Sequence, residues 1–156
     1  MRYRAQGNLV RRFRELAVSK PASGEVREVP ASTDGPAAVV ARIRGGMPME
    51  EFRALAEWLE MPDEQLAPLL GISRATLHRR RKSGRLESPE CERIVRFARL
   101  LGRATEVFED EDAAREWLKS PAVAFSGESP LSFADTEVGA REVEFLLGRL
   151  EHGVFT

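Results

Sequence analysis

The stretch from Met61 to Arg85 constrains this chain more than any other. It reads Met-Pro-Asp-Glu-Gln-Leu-Ala-Pro-Leu-Leu, then Gly71-Ile72-Ser73, then Arg-Ala-Thr-Leu-His-Arg-Arg-Arg-Lys, then Ser-Gly-Arg. A helix with an apolar side stops at Gly71, where a left-handed turn carries no steric cost. Ser73 is placed to cap the next helix by accepting from the free N–H groups of its first turn. That second helix sets one core-facing leucine, Leu77, on a strongly basic body. Ala67, Gly71 and Leu77 fall at the small, turn and core positions of a helix-turn-helix, and Leu66, Leu70 and Ile72 complete a small apolar cluster.

On that plan Ser73, Arg74, Ala75, His78 and Arg79 face a major groove, while Arg80, Arg81, Lys82 and Arg85 reach backbone phosphate. The expected duplex-contacting set is Ser73, Arg74, Thr76, His78, Arg79, Arg81 and Lys82. The competing reading is a solvated basic helix in a plain bundle. Pro68 counts against the motif, because proline inside a helix costs about 3 kcal/mol. The expectation is that it sits near the first turns of a short helix.

The remaining chain bounds the class. At 156 residues, 42% hydrophobic and 31% charged, it has the make-up of an ordinary globular protein. No apolar run approaches the roughly 20 residues that span a bilayer, and the basic N-terminus lacks the apolar core of a signal peptide. The single cysteine, Cys91, excludes an internal disulfide framework and fits a reducing cytosol, so a cytoplasmic location is expected. It falls on the apolar side of a helix, as a buried small hydrophobe does. Charge is uneven: residues 1–88 hold 16 basic and 11 acidic residues, and residues 105–156 hold 4 basic and 12 acidic. A basic first half suits nucleic acid, and an acidic last third suits a basic protein surface.

Residues 1–35 read as a basic tail and linker, either a disordered extension with no role or an arm that brushes DNA phosphate, with room for a short amphipathic helix around Asn8–Val18 before Pro-, Gly- and Ser-rich linker chemistry. Pro36 opens a helix whose face is Val39, Val40 and Ile43, ended by Gly45-Gly46. Pro48 opens another, with Phe52, Leu55, Ala56 and Leu59 at helical spacing and Trp58 beside them. With the helix-turn-helix pair these make a module over 36–87. Ser88-Pro89 then starts a long helix to about Glu109, striped by Cys91, Ile94, Val95, Ala98 and Leu101. Its apolar face is broad enough for several neighbours, either within the chain or in a second copy. A short helix covers Asp110–Lys119, with Ala113, Ala114, Trp117 and Leu118 inward. After a loop with Gly127, a helical turn follows Ser129-Pro130. Thr136 caps a last helix with Val143, Leu146, Leu147 and Leu150 on one face, and Gly153 ends it. No strand-like alternation is found. The expectation is an all-α protein in which residues 88–156 form a connecting helix and a small helical domain.

The C-terminal landmarks are Trp117-Leu118, then Gly127-Glu-Ser-Pro130-Leu131, then Thr136-Glu-Val-Gly139-Ala-Arg-Glu-Val143, and finally His152-Gly153-Val154. Together they resemble the toxin-binding domain of the Xre/MbcA/ParS antitoxins. The likeness covers about 40–156, including an Xre-like helix-turn-helix and the long helix. Phe133-Ala134 departs from the family's usual aliphatic pair. The resemblance implies a type II toxin–antitoxin pair. Its antitoxin is no enzyme; it clamps a RES-domain, NAD-attacking toxin related in fold to ADP-ribosyltransferases and helps bind its own operator. It also implies a homodimer within a hetero-oligomer, with no cofactor. An acidic domain with an apolar-tipped end suits a cationic cleft. On that view Glu151 and the terminal carboxylate of Thr156 pair with basic toxin residues, Arg149 and His152 hydrogen-bond beside them, and Val154 and Phe155 anchor.

Catalysis needs a clustered acid, base and nucleophile, or a metal site. Two separated histidines and one cysteine give no metal-ligand spacing, and no phosphate-cradling glycine loop is found. The rivals are two other kinds of binder. One is a stand-alone helix-turn-helix regulator with a ligand-sensing C-terminal half. The other is an adaptor whose basic helix is vestigial.

Overall fold

A computed structural model describes residues 7–18 and 35–153. The order of elements is α1 (Leu9–Val18), α2 (Pro36–Gly45), β1 (Met47–Pro48), α3 (Glu50–Leu59), α4 (Asp63–Leu69), α5 (Arg74–Ser83), β2 (Arg85–Leu86), α6 (Ser88–Phe108), α7 (Glu111–Lys119), α8 (Pro130–Phe133) and α9 (Glu137–Glu151). A 3₁₀ turn at Val123–Phe125 precedes α8. Among the described residues the architecture is all-α except for one two-residue antiparallel pair, Met47 with Leu86 and Pro48 with Arg85. So short a pair has no alternation to read in a sequence. It also corrects the start of α3: Pro48 lies in β1, and the helix begins two residues later.

The middle of the molecule is α6, against which α1, α2, α3, α7 and α9 all pack. Its wide apolar face is accounted for by neighbours in the same chain. Cys91, Ile94, Phe97, Ala98, Leu100, Leu101 and Ala104 are fully buried along it. The helix opens differently from the expected Ser88 cap. Glu87 is the capping residue, and the Glu90 carboxylate accepts the Glu87 backbone N–H at 2.9 Å, closing a capping box.

The largest correction concerns the N-terminal segment. A helix does form over Leu9–Val18, but it is part of the core rather than a tail. Leu9, Val10 and Ala17 are buried, and the helix lies on α3 and α6. Gly102 of α6 faces it, and a Cβ there would lie in ordinary van der Waals contact, 3.7 Å from the Ala17 Cβ and from the Trp58 ring edge. Its N-terminus is held by Glu51 of α3, whose carboxylate accepts from the Leu9 and Val10 backbone at 2.7 and 2.9 Å. Arg42 supplies the counter-charge, with Nη2 3.4 Å from Glu51 and 2.6 Å from the Gly7 carbonyl. Arg42 is therefore the buried residue of α2, while Val40 is exposed and Val39 and Ile43 are half-buried. Burial pushes the Glu51 carboxyl above its ordinary range against the pull of those two amides.

The C-terminal elements form a smaller layer on α6. Asp110 caps α7 by accepting from the Ala113 N–H at 3.0 Å. Ala114, Leu118 and Arg115 are buried, with Ala113 and Trp117 only half so. Arg115 and Lys119 donate to the carbonyls of Trp58 and Leu59 at 3.2 and 2.9 Å, covering the end of α3. Phe133 stacks on Phe125 with ring centroids 4.8 Å apart, and Ala134 is fully buried beside them, so the departure from the family pattern packs normally. Thr136 caps α9 by accepting from the Gly139 N–H at 3.1 Å. A Cβ at Gly139 would collide with the Phe133 carbonyl oxygen, the physical reason for glycine at that landmark. Val143 and Leu147 are buried, and Leu146 and Leu150 are half-buried.

Candidate functional site

Two separate surfaces carry the candidate residues. The first is the α4–turn–α5 pair. Gly71 turns the chain at φ +68°, and Arg93 of α6 donates to the Leu70 carbonyl at 2.9 Å, so that any Cβ at Gly71 would strike its guanidinium. Ser73 caps α5 by accepting the Thr76 N–H at 3.1 Å, and Leu77 plugs into the core. Pro68 is in the last turn of α4, not the first turns. There it forfeits a single bond at the end of a seven-residue helix, and its ring faces solvent. Leu70, Gly71 and Ile72 still donate to carbonyls of Leu66, Ala67 and Pro68. The break therefore costs the turn little.

Packing sorts the basic side chains of α5 into two groups. Arg80 is structural: its Nε lies 3.0 and 2.9 Å from the two oxygens of the buried Glu90, and Nη2 is 3.0 Å from Glu87. This corrects its expected place on phosphate. Arg81 is also engaged, at 2.9 Å from Asp63 and 3.0 Å from Glu64 of α4. Those bonds hold the guanidinium pKa up and the Glu64 carboxyl down. Arg79 bonds only the Thr76 hydroxyl, at 3.0 Å. Arg74, His78, Arg79 and Lys82 are exposed. Ser73, Arg74, His78 and Arg81 share the wall of a cleft of about 590 Å³ between the two helices. Thr76 is half-buried and bonded to the Ser73 hydroxyl at 2.9 Å.

The second surface is α9. Glu137, Glu144 and Glu151 recur every seven residues and meet Arg96, Arg99 and Arg103 of α6. Glu137 is 3.5 Å from Arg96, Glu144 is 2.9 Å from Arg99, and Glu151 is 3.3 Å from Arg103 Nη1. Glu151, expected to meet a partner's cations, thus already has one within the chain. Arg149 and His152 are exposed at the end of the helix. Val154, Phe155 and Thr156 lie outside the described residues.

The sequence reading missed the outer side of α9. Val138 and Phe145 are 73% and 65% exposed. They stand seven residues apart and so on one face, with Arg141, Glu142 and Arg149 around them. Val123, on the 3₁₀ turn, is 98% exposed. Residues that break the i, i+3, i+4 stripe of Val143 and Leu147 were the available signal, since an aromatic outside that stripe has no intramolecular neighbour to cover it. Among the described residues no group of His, Cys, Asp and Glu could hold a metal ion, and no helix is long and apolar enough to cross a membrane.

Comparison with known proteins joins the two surfaces. Residues 38–99 match the Antitoxin Xre-like helix-turn-helix domain, and residues 103–153 match the Antitoxin Xre/MbcA/ParS C-terminal toxin-binding domain. The chain is 35% identical to an Antitoxin Xre of Yersinia enterocolitica over 132 residues, covering 83% of this chain and 89% of the relative. It is 32% identical to an Antitoxin Xre of Photorhabdus laumondii over 116 residues, 73% and 78% of the two chains. A protein of Sphingobium named Prs ADP-ribosylating antitoxin is 23% identical over 123 residues, 72% and 77%. The matched domains are regulatory rather than catalytic. With a helix-turn-helix in its first half and a toxin-binding domain in its second, this chain belongs to the Xre antitoxin family.

Proposed function

We propose that this chain neutralises a RES-domain, NAD-attacking toxin by covering its active-site mouth, and that it represses its own operon through α5. The observation that carries the reading is the uncovered outer edge of α9, where Val138 and Phe145 stand exposed inside the segment that matches a toxin-binding domain. Aromatic residues ringed by charge are the usual anchors of a protein interface. Arg149, Glu151, His152, Val154, Phe155 and Thr156 are the further residues assigned to the contact with the mouth. The 12 acidic residues of 105–156 against 4 basic ones suit a cleft built for a phosphorylated dinucleotide. A relative whose name includes ADP-ribosylating supports transferase-like chemistry in the partner. Ser73, Arg74, Thr76, His78, Arg79 and Lys82 meet the operator, with Arg81 turning from Asp63 and Glu64 as phosphate competes for it. The assembly is a homodimer of this chain within a cytoplasmic hetero-oligomer.

The test is co-expression with the neighbouring reading frame, followed by sizing of the complex and measurement of cellular NAD. A RES-domain protein that depletes NAD alone and is silenced in a co-purifying complex is expected. A neighbour that depletes NAD equally with and without this chain would overturn the reading.

A further inference from the structure

A second cluster of arginines lies at the far end of α5, around Arg85, whose expected place was on backbone phosphate. It borders a cleft of about 420 Å³ walled by Arg44, Ser83, Arg85, Glu87 and Ser88, with Arg80 beneath. Three elements meet there: the end of α2, the β1–β2 pair and the start of α6. Glu87 lies 3.0 Å from Arg80, and Glu90 takes the rest of the Arg80 guanidinium. Arg80 is shared between two carboxylates, and the Glu87 side chain is exposed, so Arg44 and Arg85 leave the cleft with one net positive charge. Arg44 is exposed and makes no ion pair with any described residue. Arg85 is aimed by one nitrogen, 2.9 Å from the Gly45 carbonyl, which leaves its other donors outward. The Ser83 hydroxyl accepts the Arg85 N–H at 3.3 Å and fixes the turn.

The place of the cleft along α5 gives it meaning. Ten helical residues at 1.5 Å each span about 15 Å, slightly more than the roughly 12 Å width of a major groove. A helix that sets Ser73 to Thr76 on base edges therefore brings its other end out at the flanking sugar–phosphate backbone. Two exposed guanidinium groups gain little from a single free anion in water, but they gain from a polyanion held by other contacts, through released counterions.

We propose that this cleft receives a backbone phosphodiester of duplex DNA, gripped by Arg44 and Arg85 with the Ser88 hydroxyl as a further donor. The β1–β2 corner is then a sequence-independent foothold beside the recognition helix. The inference rests on the reading of α4–α5 as a duplex-binding pair.

The experiment measures affinity of the full chain for two short duplexes, one of mixed sequence and one from upstream of its own reading frame, across a range of salt. R44A and the double variant R44A/R85K are compared with the unsubstituted chain. R44A removes an exposed, unpaired side chain, and R85K keeps charge while losing the forked geometry, so neither depends on the core. The slope of log affinity against log salt is expected to fall by about 1 for R44A, with the same fold loss on both duplexes and a further loss in the double variant. An unchanged slope, or a loss confined to the upstream duplex, overturns the proposal. Melting in inorganic phosphate against chloride at matched ionic strength tests the other source of the anion. A phosphate shift that requires Arg44, with duplex slopes unaltered, assigns the cleft to a free anion and also overturns it. Failure of the unsubstituted chain to bind either duplex removes the duplex-binding reading itself, and the proposal with it, before any variant is compared.

Discussion

Glu51, in the first turn of α3, holds the N-terminus of α1 by accepting the Leu9 backbone N–H at 2.7 Å. The two residues are 42 positions apart, and the carboxylate is fully buried. A helix lying outside both matched domains is thereby built into the core of the molecule. Its far end reaches α7, where Arg14 Nε is 2.8 Å from Glu111. One short helix thus touches the helix-turn-helix half and the toxin-binding half.

Glu51→Gln tests that clasp. It keeps the shape but removes the carboxylate charge that faces Arg42 and one of the two oxygens that accept the Leu9 and Val10 amides. Breaking one side of a buried pair costs about 3–5 kcal/mol, and the value here is expected at the lower end because Arg42 keeps the Gly7 carbonyl. Urea unfolding would measure it. A variant as stable as the parent would mean that the carboxylate contributes nothing net.

Phe145→Asp and Leu147→Asp separate surface from core. Phe145 faces solvent and Leu147 is fully buried, although they are two residues apart. Phe145→Asp should leave thermal melting within about 0.5 kcal/mol of the parent and weaken toxin binding at least tenfold. Leu147→Asp should unfold the C-terminal layer, because an unpaired charge in that position has no compensating partner. Equal toxin affinity in Phe145→Asp, measured by titration calorimetry, would move the interface elsewhere.

Removal of residues 151–156 addresses the end of α9. The exposed Arg103–Glu151 pair contributes at most about 1 kcal/mol, so the helix should persist by circular dichroism. Toxin activity should be released. Retained neutralisation would exclude the terminal residues from the blocking role.

Arg79→Ala and Arg80→Ala should differ in kind. Arg79 bonds only a local hydroxyl, so its loss should reduce duplex affinity and leave stability unchanged. Arg80 balances the buried Glu90, so its loss should destabilise the fold by about 1–3 kcal/mol. Paired melting and anisotropy measurements distinguish the two, and equal stability of both variants would contradict the assignment.

Cys91 gives a pH dependence. Burial pushes its thiol from 9.0 up to about 11. Between those values the unfolded chain has lost the proton and the folded chain keeps it. The stability contributed is therefore whole below pH 9 and lost as pH rises through about 11. The parent should lose melting temperature across that window more steeply than Cys91→Ala, and Cys91 should resist alkylation until the chain unfolds. Parallel melting profiles would refute the shift.

The sequence by itself determined the helices and the turn between α4 and α5. Periodicity, the Ser73 and Thr136 caps and the Gly71 break are local signals whose chemistry acts within a few residues. The motif and the terminal landmarks pointed to the family for the same reason. Only the tertiary structure decided which charges are available. Arg80, Arg81 and Glu151 read as surface cations and anions, yet each has a partner brought close by folding: Glu90 and Glu87 for Arg80, Asp63 and Glu64 for Arg81, and Arg103 for Glu151. Arg42 was hidden among valines for the same reason. The core role of α1 was equally beyond local reading, since its partners Glu51 and Gly102 lie far along the chain. Local patterning sets secondary structure, but whether a charge is paired or presented depends on Coulomb and desolvation terms between residues that only the packed chain brings together.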